Sequence, residues 1–387
     1  MLNRAAWEAR VVKGVSALPR ETWTALFPDE VEGWDYYAAC EANPPPGFKF
    51  LAAGVWQGAD LIAAAPVFCV TYRLDTPIQG RFRPAADWLY RNAPSTLEYK
   101  VAGFGSPLAD RAHIGISNEL EVEQKAAAAA QLIAALDAYA AASGAVVLAV
   151  KDLADREPSF IDAKLSEAGF ARVASLPVAV LDLPFKTEAE YLASLSAATR
   201  KDLRRKLKTA SDVRVEMRTS LEGVEPWIRE LYAQTRTNSK YDYGDFEELA
   251  PSYFADVSLA LGPRAVFMLY WVEDTLAAFN LLLVEKDRVV DKFLGMRYPL
   301  AREHNLYAVS WMNNVRFCLD RGIGRLQTGQ TAYAAKLHLG SRLEKSWVYF
   351  RHRGRLLNWL FRTFSPLLAC DTMDPDLKKL AKEKSRS

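Results

Sequence analysis

"AVFMLYWVEDTLAAFNLLLVEKDRVVDKFLGM", residues 265–296, decides the fold class of this chain. Three apolar runs are separated by two short polar turns, VEDT (272–275) and EKDR (285–288), which is the chemistry of hairpin connections. Strands joined this tightly are antiparallel, because a parallel pair needs a crossover of a dozen or more residues. Next comes "REHNLYAVSWMNNVRFCLDRG" (302–322), which reads as a helix stopped by Gly322. The short strand "IGRLQTG" (323–329) and a last strand "KSWVYFRHRG" (345–354) follow. Upstream lie a basic helix at 194–211, the strand "DVRVEMRT" (212–219) and the helix "LEGVEPWIRELYAQTRTNSKYD" (221–242).

The first half repeats this order. "GFKFLAAGVWQGADLIAAAPVFCV" (47–70) reads as two strands around the turn QGAD, and "YKVAGFGSPLAD" (99–110) as a third. A helix at 118–144 stops at Gly144, "AVVLAVKDL" (145–153) is a buried strand, a short helix closes at Gly169, and 170–184 holds one or two more strands. Hairpin region, helix, glycine and buried strand thus occur twice, a duplication of fold and not of sequence. This is not the βαβαβ order of a dinucleotide fold, and neither GxGxxG after a first strand nor GxxxxGK[ST] is present.

Composition narrows the function. At 387 residues the chain has room for two domains, and half of it is hydrophobic, enough for two cores. A net charge of +2 argues neither for nucleic acid nor for a strongly acidic partner, and no DNA partner is expected. Cys40, Cys69, Cys318 and Cys370 form neither CxxC nor zinc spacing, and the four histidines contain no HExxH, so no metal is expected. Glu8, Arg10 and Lys13 interrupt the first residues as no signal peptide does, and no apolar run reaches the roughly 18 residues of a span. The expected location is cytoplasmic, with peripheral attachment to the inner membrane as an extension.

The second half resembles the Fem-type and related members of the acetyltransferase-like (GNAT) superfamily, a group that includes bacterial ceramide synthases. The resemblance rests on "SAATRKDLRRKLKTA" (196–210), "DKFLGMRYPLAREHNLY" (291–307), "SWMNNVRFCLDRGIGRL" (310–326) and "LQTGQTAYAAKLHLG" (326–340), with Gly329, Tyr333, Lys336 and Gly340 at the family's spacing. It covers about residues 190–350. It implies an α/β fold of two tandem acetyltransferase-like domains with mixed, mostly antiparallel sheets. The expected division is 1–185, then 186–350 as the catalytic half, then a basic amphipathic tail over 351–387. The activity implied is N-acyl transfer, with no permanently bound cofactor and acyl-CoA or acyl-carrier-protein as co-substrate. The acceptor would be a lipid-like amine such as a sphingoid base. Two readings stand beside it: a Fem-type transferase using aminoacyl-tRNA on a cell-wall precursor, and a non-catalytic lipid-binding module. No long heptad run marks the coiled-coil arm expected of the Fem type. Two features depart from the family. Ala334 follows Tyr333 where many relatives carry glutamate, and 294–305 lacks the Q/RxxGxG/A pattern of a pyrophosphate loop.

Acyl transfer to an amine requires a neutral nitrogen, donors for an oxyanion and a proton for the leaving group. With no GxSxG elbow, direct transfer is expected. Asp291, a charge inside an apolar strand, is the candidate for handling the amine. His304, Tyr298 and Tyr307 near the strand exit are candidate proton carriers. Gly329, Gln330, Thr331, Tyr333 and Lys336 are read as a donor- or substrate-binding corner. Arg204 and Arg205 carry the field of the basic helix, where like charges at i,i+4 repel and point to an anionic partner. In the tail, Arg351, Arg355, Trp359, Phe361 and Arg362 are the candidate membrane contacts: ten Lys/Arg stand against four Asp/Glu from Lys345 to Arg386, interleaved with aromatics as in interfacial helices. The aromatic-rich segment 230–254 is read as either a wall for a long apolar substrate or a surface lid.

Overall fold

The computed structural model describes residues 7–73, 83–92, 98–238, 248–365 and 377–378. Two compact units emerge: one holds Met1–Pro177 and Lys345–Ser387, the other Val178–Asp242 and Pro251–Glu344.

In the first unit the strands are β1 (Trp7–Val12), β2 (Lys49–Gln57), β3 (Asp60–Arg73), β4 (Glu98–Phe104), β5 (Gly115–Ile116), β6 (Val147–Ala154) and β7 (Ala171–Ala174). Its helices are α1 (Arg20–Leu26), α2 (Trp34–Ala42), α3 (Arg83–Asn92), α4 (Val122–Ser143) and α5 (Ser159–Glu167). β1 to β4 run antiparallel, and β6 lies parallel to β4 after the α4 crossover. α4 starts at a reciprocal cap between Glu121 and Gln124 and ends at Gly144, whose φ of 75° suits glycine. α4 is also the one described helix long and apolar enough to cross a membrane. Here Ala128, Leu132, Ile133, Leu136 and Ala140 bury one of its faces in the core over β2, β3 and β6.

The second unit opens with β8 (Val178–Asp182), α6 (Glu188–Ser194), α7 (Ala197–Thr209), β9 (Val213–Arg218), α8 (Glu225–Thr237) and α9 (Tyr253–Leu261). It continues with β10 (Ala265–Val272), β11 (Thr275–Val284), β12 (Arg288–Met296), α10 (Leu300–Glu303), α11 (Leu306–Asp320), β13 (Arg325–Gln327), α12 (Tyr333–His338) and β14 (Arg342–Glu344). The sheet order is β14-β8-β13-β12-β11-β10-β9. The three strands expected from residues 265–296 are β10, β11 and β12, and α11 carries the chain over to β13, which is parallel to β12. Ser196 caps α7 by accepting from Thr199 N at 3.1 Å. α8 presses so closely on β12 that a Cβ at Gly295 would stand 3.0 Å from the backbone carbon of Leu231.

The two units share one plan: four antiparallel strands, a crossover helix, a parallel strand, then two further antiparallel strands. The division, however, is not at 185/186 and 350/351. β15 (Ser346–His352) pairs with β6 and β7 and so completes the first sheet, together with α13 (Arg355–Phe364) behind it. β8, read with the first half, pairs with β13 and β14 in the second sheet. Strand partners are chosen by ladder register, which chain order does not reveal. Cys370 and the expected tail past Ser365, apart from Leu377 and Lys378, lie outside the described residues, as do 239–247 of the aromatic segment. The described aromatics of that segment line no wall. Tyr232, Tyr253 and Phe254 stack edge-on with Phe293 at 5.3, 5.5 and 5.8 Å between ring centroids, forming core on the α8–α9 side of the sheet.

Candidate active site

β12 carries a bulge. Leu281 pairs with Phe293 but Leu282 pairs with Asp291, so Lys292 is the extra residue. In an unbroken strand Asp291 and Phe293 would share a face. The bulge parts them. Phe293 joins the aromatic core under α8 and α9, while Asp291 turns to the face covered by α11. There its carboxylate accepts from Asn280 Nδ2 of β11 at 2.8 Å and from Asn314 Nδ2 of α11 at 3.0 Å. Asn280 and Asn314 are fully buried, whereas Asp291 is only partly covered.

Further polar groups surround this carboxylate. The hydroxyls of Tyr270 and Tyr307 and the Oδ1 atoms of Asn280 and Asn314 are buried without a hydrogen-bond partner. Burial, reinforced by the charge of Asp291, pushes both phenols up, so each keeps its proton well past neutrality. The same two causes push the Cys318 thiol up to about 12. A carboxylate held by two carboxamides, next to orphaned carbonyl oxygens, is a site rich in acceptors. A guest with several N–H donors suits it.

The corner at 326–340 is built differently from the expectation. Gly329, Thr331 and Ala332 all have positive φ (69°, 67° and 50°), a conformation costly for a β-branched threonine. Thr328 and Gly329 tie the loop to β8 through Thr328 N to Ala179 O at 2.8 Å and Ala179 N to Gly329 O at 2.9 Å. Lys336 is buried, and its ammonium donates to the carbonyls of Thr328 (2.5 Å), Gln330 (3.0 Å) and Gly329 (3.3 Å). This geometry makes Lys336 the clasp that holds the loop, in place of an outward hand for a donor phosphate. Tyr333 is wholly buried beside it, while Gly329, Gln330 and Thr331 are half-buried.

The remaining candidates scatter. His304 Nδ1 faces Asp212 at 3.1 Å, and Tyr298 stacks under Arg302 at 5.4 Å; of the proton-carrier candidates, Tyr307 is the one the structure brings to Asp291. Leu203 of α7 and Ala210 just past its end go into the core, while Arg205 and Lys206 both pair with Asp202, at 2.7 and 2.8 Å. Arg204 is exposed with no ion pair among the described residues. So are Lys201 and Lys208, which share its face at i−3 and i+4. Arg351, Arg355, Trp359, Phe361 and Arg362 gather at β15 and α13 in the first unit.

Asn280 and Asn314 were not singled out from sequence, although Asn280 is a lone amide inside the apolar run "AAFNLLLV" and Asn314 is the second of a pair in "SWMNNVRFC". Among the described residues, Glu30, Glu32 and His113 bring potential metal-ligating atoms within 4.8 Å of one another. Arg111 already supplies the positive charge there: it donates to Glu30 and, at 3.2 Å, to His113 Nε2, while Tyr37 Oη meets His113 Nδ1 at 2.6 Å. The group is an ion-paired brace of the first unit.

The family model for the acetyltransferase (GNAT) domain matches residues 197–337, which run from the start of α7 into α12. Among solved structures, the chain is similar to FemX (11% identity, 84% of this chain and 97% of that one, TM-score 0.54). It is also similar to a tandem GNAT protein from the clavulanic acid biosynthesis pathway (12%, 90% and 99%, 0.54). A third similar structure is L-PGS from Bacillus licheniformis (9%, 87% and 95%, 0.50). At these identities the likeness speaks for the fold. A search of curated proteins returned no match. The repeated sheet plan and the matched segment agree: residues 197–337 carry an acetyltransferase (GNAT) domain, set in a two-unit fold like that of the tandem GNAT protein.

Proposed function

We infer that the chain moves a fatty acyl group from a thioester of CoA or an acyl carrier protein to a lipid-like primary amine, of the sphingoid-base kind, at the cytoplasmic face of the inner membrane. The observation that carries this reading is the acceptor-rich setting of Asp291, with orphaned oxygens on Asn280 and Asn314 beside a partly open carboxylate. An amine arriving as ammonium has three N–H donors for these acceptors. Asp291 takes one proton, freeing the nitrogen lone pair to attack the thioester carbonyl. The new C–N bond forms as the C=O pair moves to oxygen. Collapse then breaks the C–S bond, and the thiolate takes a proton from the Tyr307 hydroxyl, which burial keeps protonated. The amide nitrogen returns a proton to the site and Tyr307 is restored. Lys201, Arg204 and Lys208 on α7 supply positive charge for the donor's phosphates.

The exposed cationic stripe, with the fold likeness to FemX, also suits a second reading in which the donor is an aminoacyl-tRNA and the stripe meets RNA phosphates. One experiment separates the two. The purified chain is incubated with acyl-CoAs, acyl carrier proteins and charged tRNAs against a set of long-chain and short-chain amines, and products are read by mass spectrometry. A long-chain N-acyl amide formed from a thioester supports the first reading. Product from charged tRNA alone moves the assignment to the second. No amide from any pairing overturns both.

A further inference from the structure

We propose that α13 and the arginine-lined cavity at its side form a docking surface for a bilayer containing anionic phospholipid. The proposal rests on the membrane-facing reading above and gives that reading a site, which lies wholly in the first unit.

α13 follows β15 directly and is fixed along one face. Asn358 Nδ2 donates to Gly169 O at 3.1 Å, and Asn358 Oδ1 accepts from His352 N at 3.0 Å. The Phe361 ring lies 5.9 Å from that of Phe350 and 5.6 Å from that of His352. The opposite face is apolar and uncovered among the described residues: Leu356 is 72% exposed, Trp359 61% and Leu357 38%. A helix meant for a protein interior does not leave its tryptophan and leucine outside in this way.

Charge borders this apolar arc on one side. Arg355 and Arg362, two turns apart, share one edge of the helix, are exposed, and have no ion pair among the described residues. They line a cavity of about 640 Å³ together with Arg351, Arg353, Asn358 and Trp359. Two carboxylates, Asp137 and Glu167, also line it, but Asp137 is taken up by Arg351 at 2.6 Å and Arg353 at 3.5 Å. Arg355 and Arg362 remain for a guest. Arginine's fork suits a phosphate diester, and a tryptophan beside it suits the headgroup level of a membrane. Apolar side chains in an arc, with arginines reaching sideways from its border, form the geometry of a helix lying in the interface plane. Charge complementarity therefore selects an anionic lipid surface over an uncharged apolar partner.

The test uses the full chain and sedimentation with vesicles of phosphatidylcholine, alone or with about 30 mol% phosphatidylglycerol, at about 50 and 500 mM salt. The expected result is binding to the anionic vesicles only, weakened by salt. It should fall at least about fivefold in Arg355→Glu/Arg362→Glu and in Leu356→Glu/Trp359→Glu, each confirmed folded by circular dichroism. Equal binding to both lipid compositions, or unchanged binding by either double variant, overturns the proposal. So does protection of the arginines by inorganic phosphate with no vesicle binding, which would make the cavity a soluble-anion site. A concentration-dependent dimer abolished by Leu356→Glu/Trp359→Glu would assign the surface to a second copy of the chain. Acyl transfer to a short, water-soluble amine is measured in parallel. Its loss in the wild-type chain speaks against the proposed reaction, and its retention beside absent vesicle binding speaks against the docking surface alone.

Discussion

Asp291→Asn removes one charge and adds one proton-bearing nitrogen, and the structure says what each change does. The wild-type carboxylate accepts two carboxamide N–H groups, at 2.8 and 3.0 Å. A bond to an ionised acceptor is worth about 1.5–3 kcal/mol and one between neutral groups about 0.5–1.5. In the variant, the new NH₂ meets a second NH₂ on one side. That conflict is relieved if Asn280 or Asn314 rotates its amide, because both Oδ1 atoms are without a partner in the native arrangement and one can accept. Two charge-assisted bonds then become two neutral ones, at a cost of about 1–3 kcal/mol, which a domain stable by 5–15 kcal/mol survives. The functional loss is of another kind. The amine no longer meets a base, and kcat/KM should fall at least tenfold, about 1.4 kcal/mol of transition-state stabilisation. The loss should fall mainly on kcat, since the proton is taken only on the way to the transition state. The measurements are mass-spectrometric acyl-transfer kinetics and a urea titration of the same preparation. A folded Asp291→Asn variant with kcat/KM within about twofold of wild type would refute the role and leave Asp291 as a structural node between β11, β12 and α11.

Three further outcomes are expected. Lys336→Met should remove the ammonium from the Thr328, Gln330 and Gly329 carbonyls, the last of which keeps its bond from Ala179 N, and destabilise the second unit by about 2–3 kcal/mol, with hydrogen exchange rising at 328–332; unchanged exchange there would show that the clasp is not what holds the loop. Arg204→Gln should raise KM for a phosphate-bearing donor several-fold with kcat nearly constant, while Arg205→Gln should do less because that guanidinium already faces Asp202; equal KM values across wild type and both variants would make α7 a solvated surface. The thiol of Cys318, raised by burial and by Asp291 from 9.0 to about 12, stays protonated in the folded state after the unfolded chain has released its proton. Stability should therefore be intact below pH 9.0 and decline as pH climbs toward about 12, and a urea midpoint that stays flat across that window would contradict the assignment.

Much of the fold could be read before any coordinates. The hairpins of 47–70 and 265–296 declared themselves through turn chemistry, and α4 and α11 through long apolar patterns with glycine stops. α1 and α2 were missed because their tryptophans and tyrosines follow no clean helical stripe; α2 buries Tyr36, Tyr37 and Cys40. The placement of β8 and β15 could not be read at all. "VAVLD" and "SWVYFRH" are good strands for either sheet, and what decides between sheets is a ladder formed with residues more than a hundred positions away.

Asp291 stood out in the sequence for a reason that survives contact with the structure: a carboxylate between Val290 and Phe293 must be either at an edge or held by something. It is held by Asn280 and Asn314, and the strand bulge lets it be. A bulge leaves no mark in composition, so period-2 counting puts Asp291 and Phe293 on one face and hides the site. Lys336 shows the converse. Its spacing to Tyr333 was visible, but the direction of its ammonium depends on carbonyls that face inward only because Gly329, Thr331 and Ala332 take positive φ. Sequence spacing locates side chains along an element. Whether a charge then serves a guest or the protein's own backbone is settled by which acceptors remain unsatisfied nearby, and two such carbonyl oxygens, those of Asn280 and Asn314, lie beside Asp291.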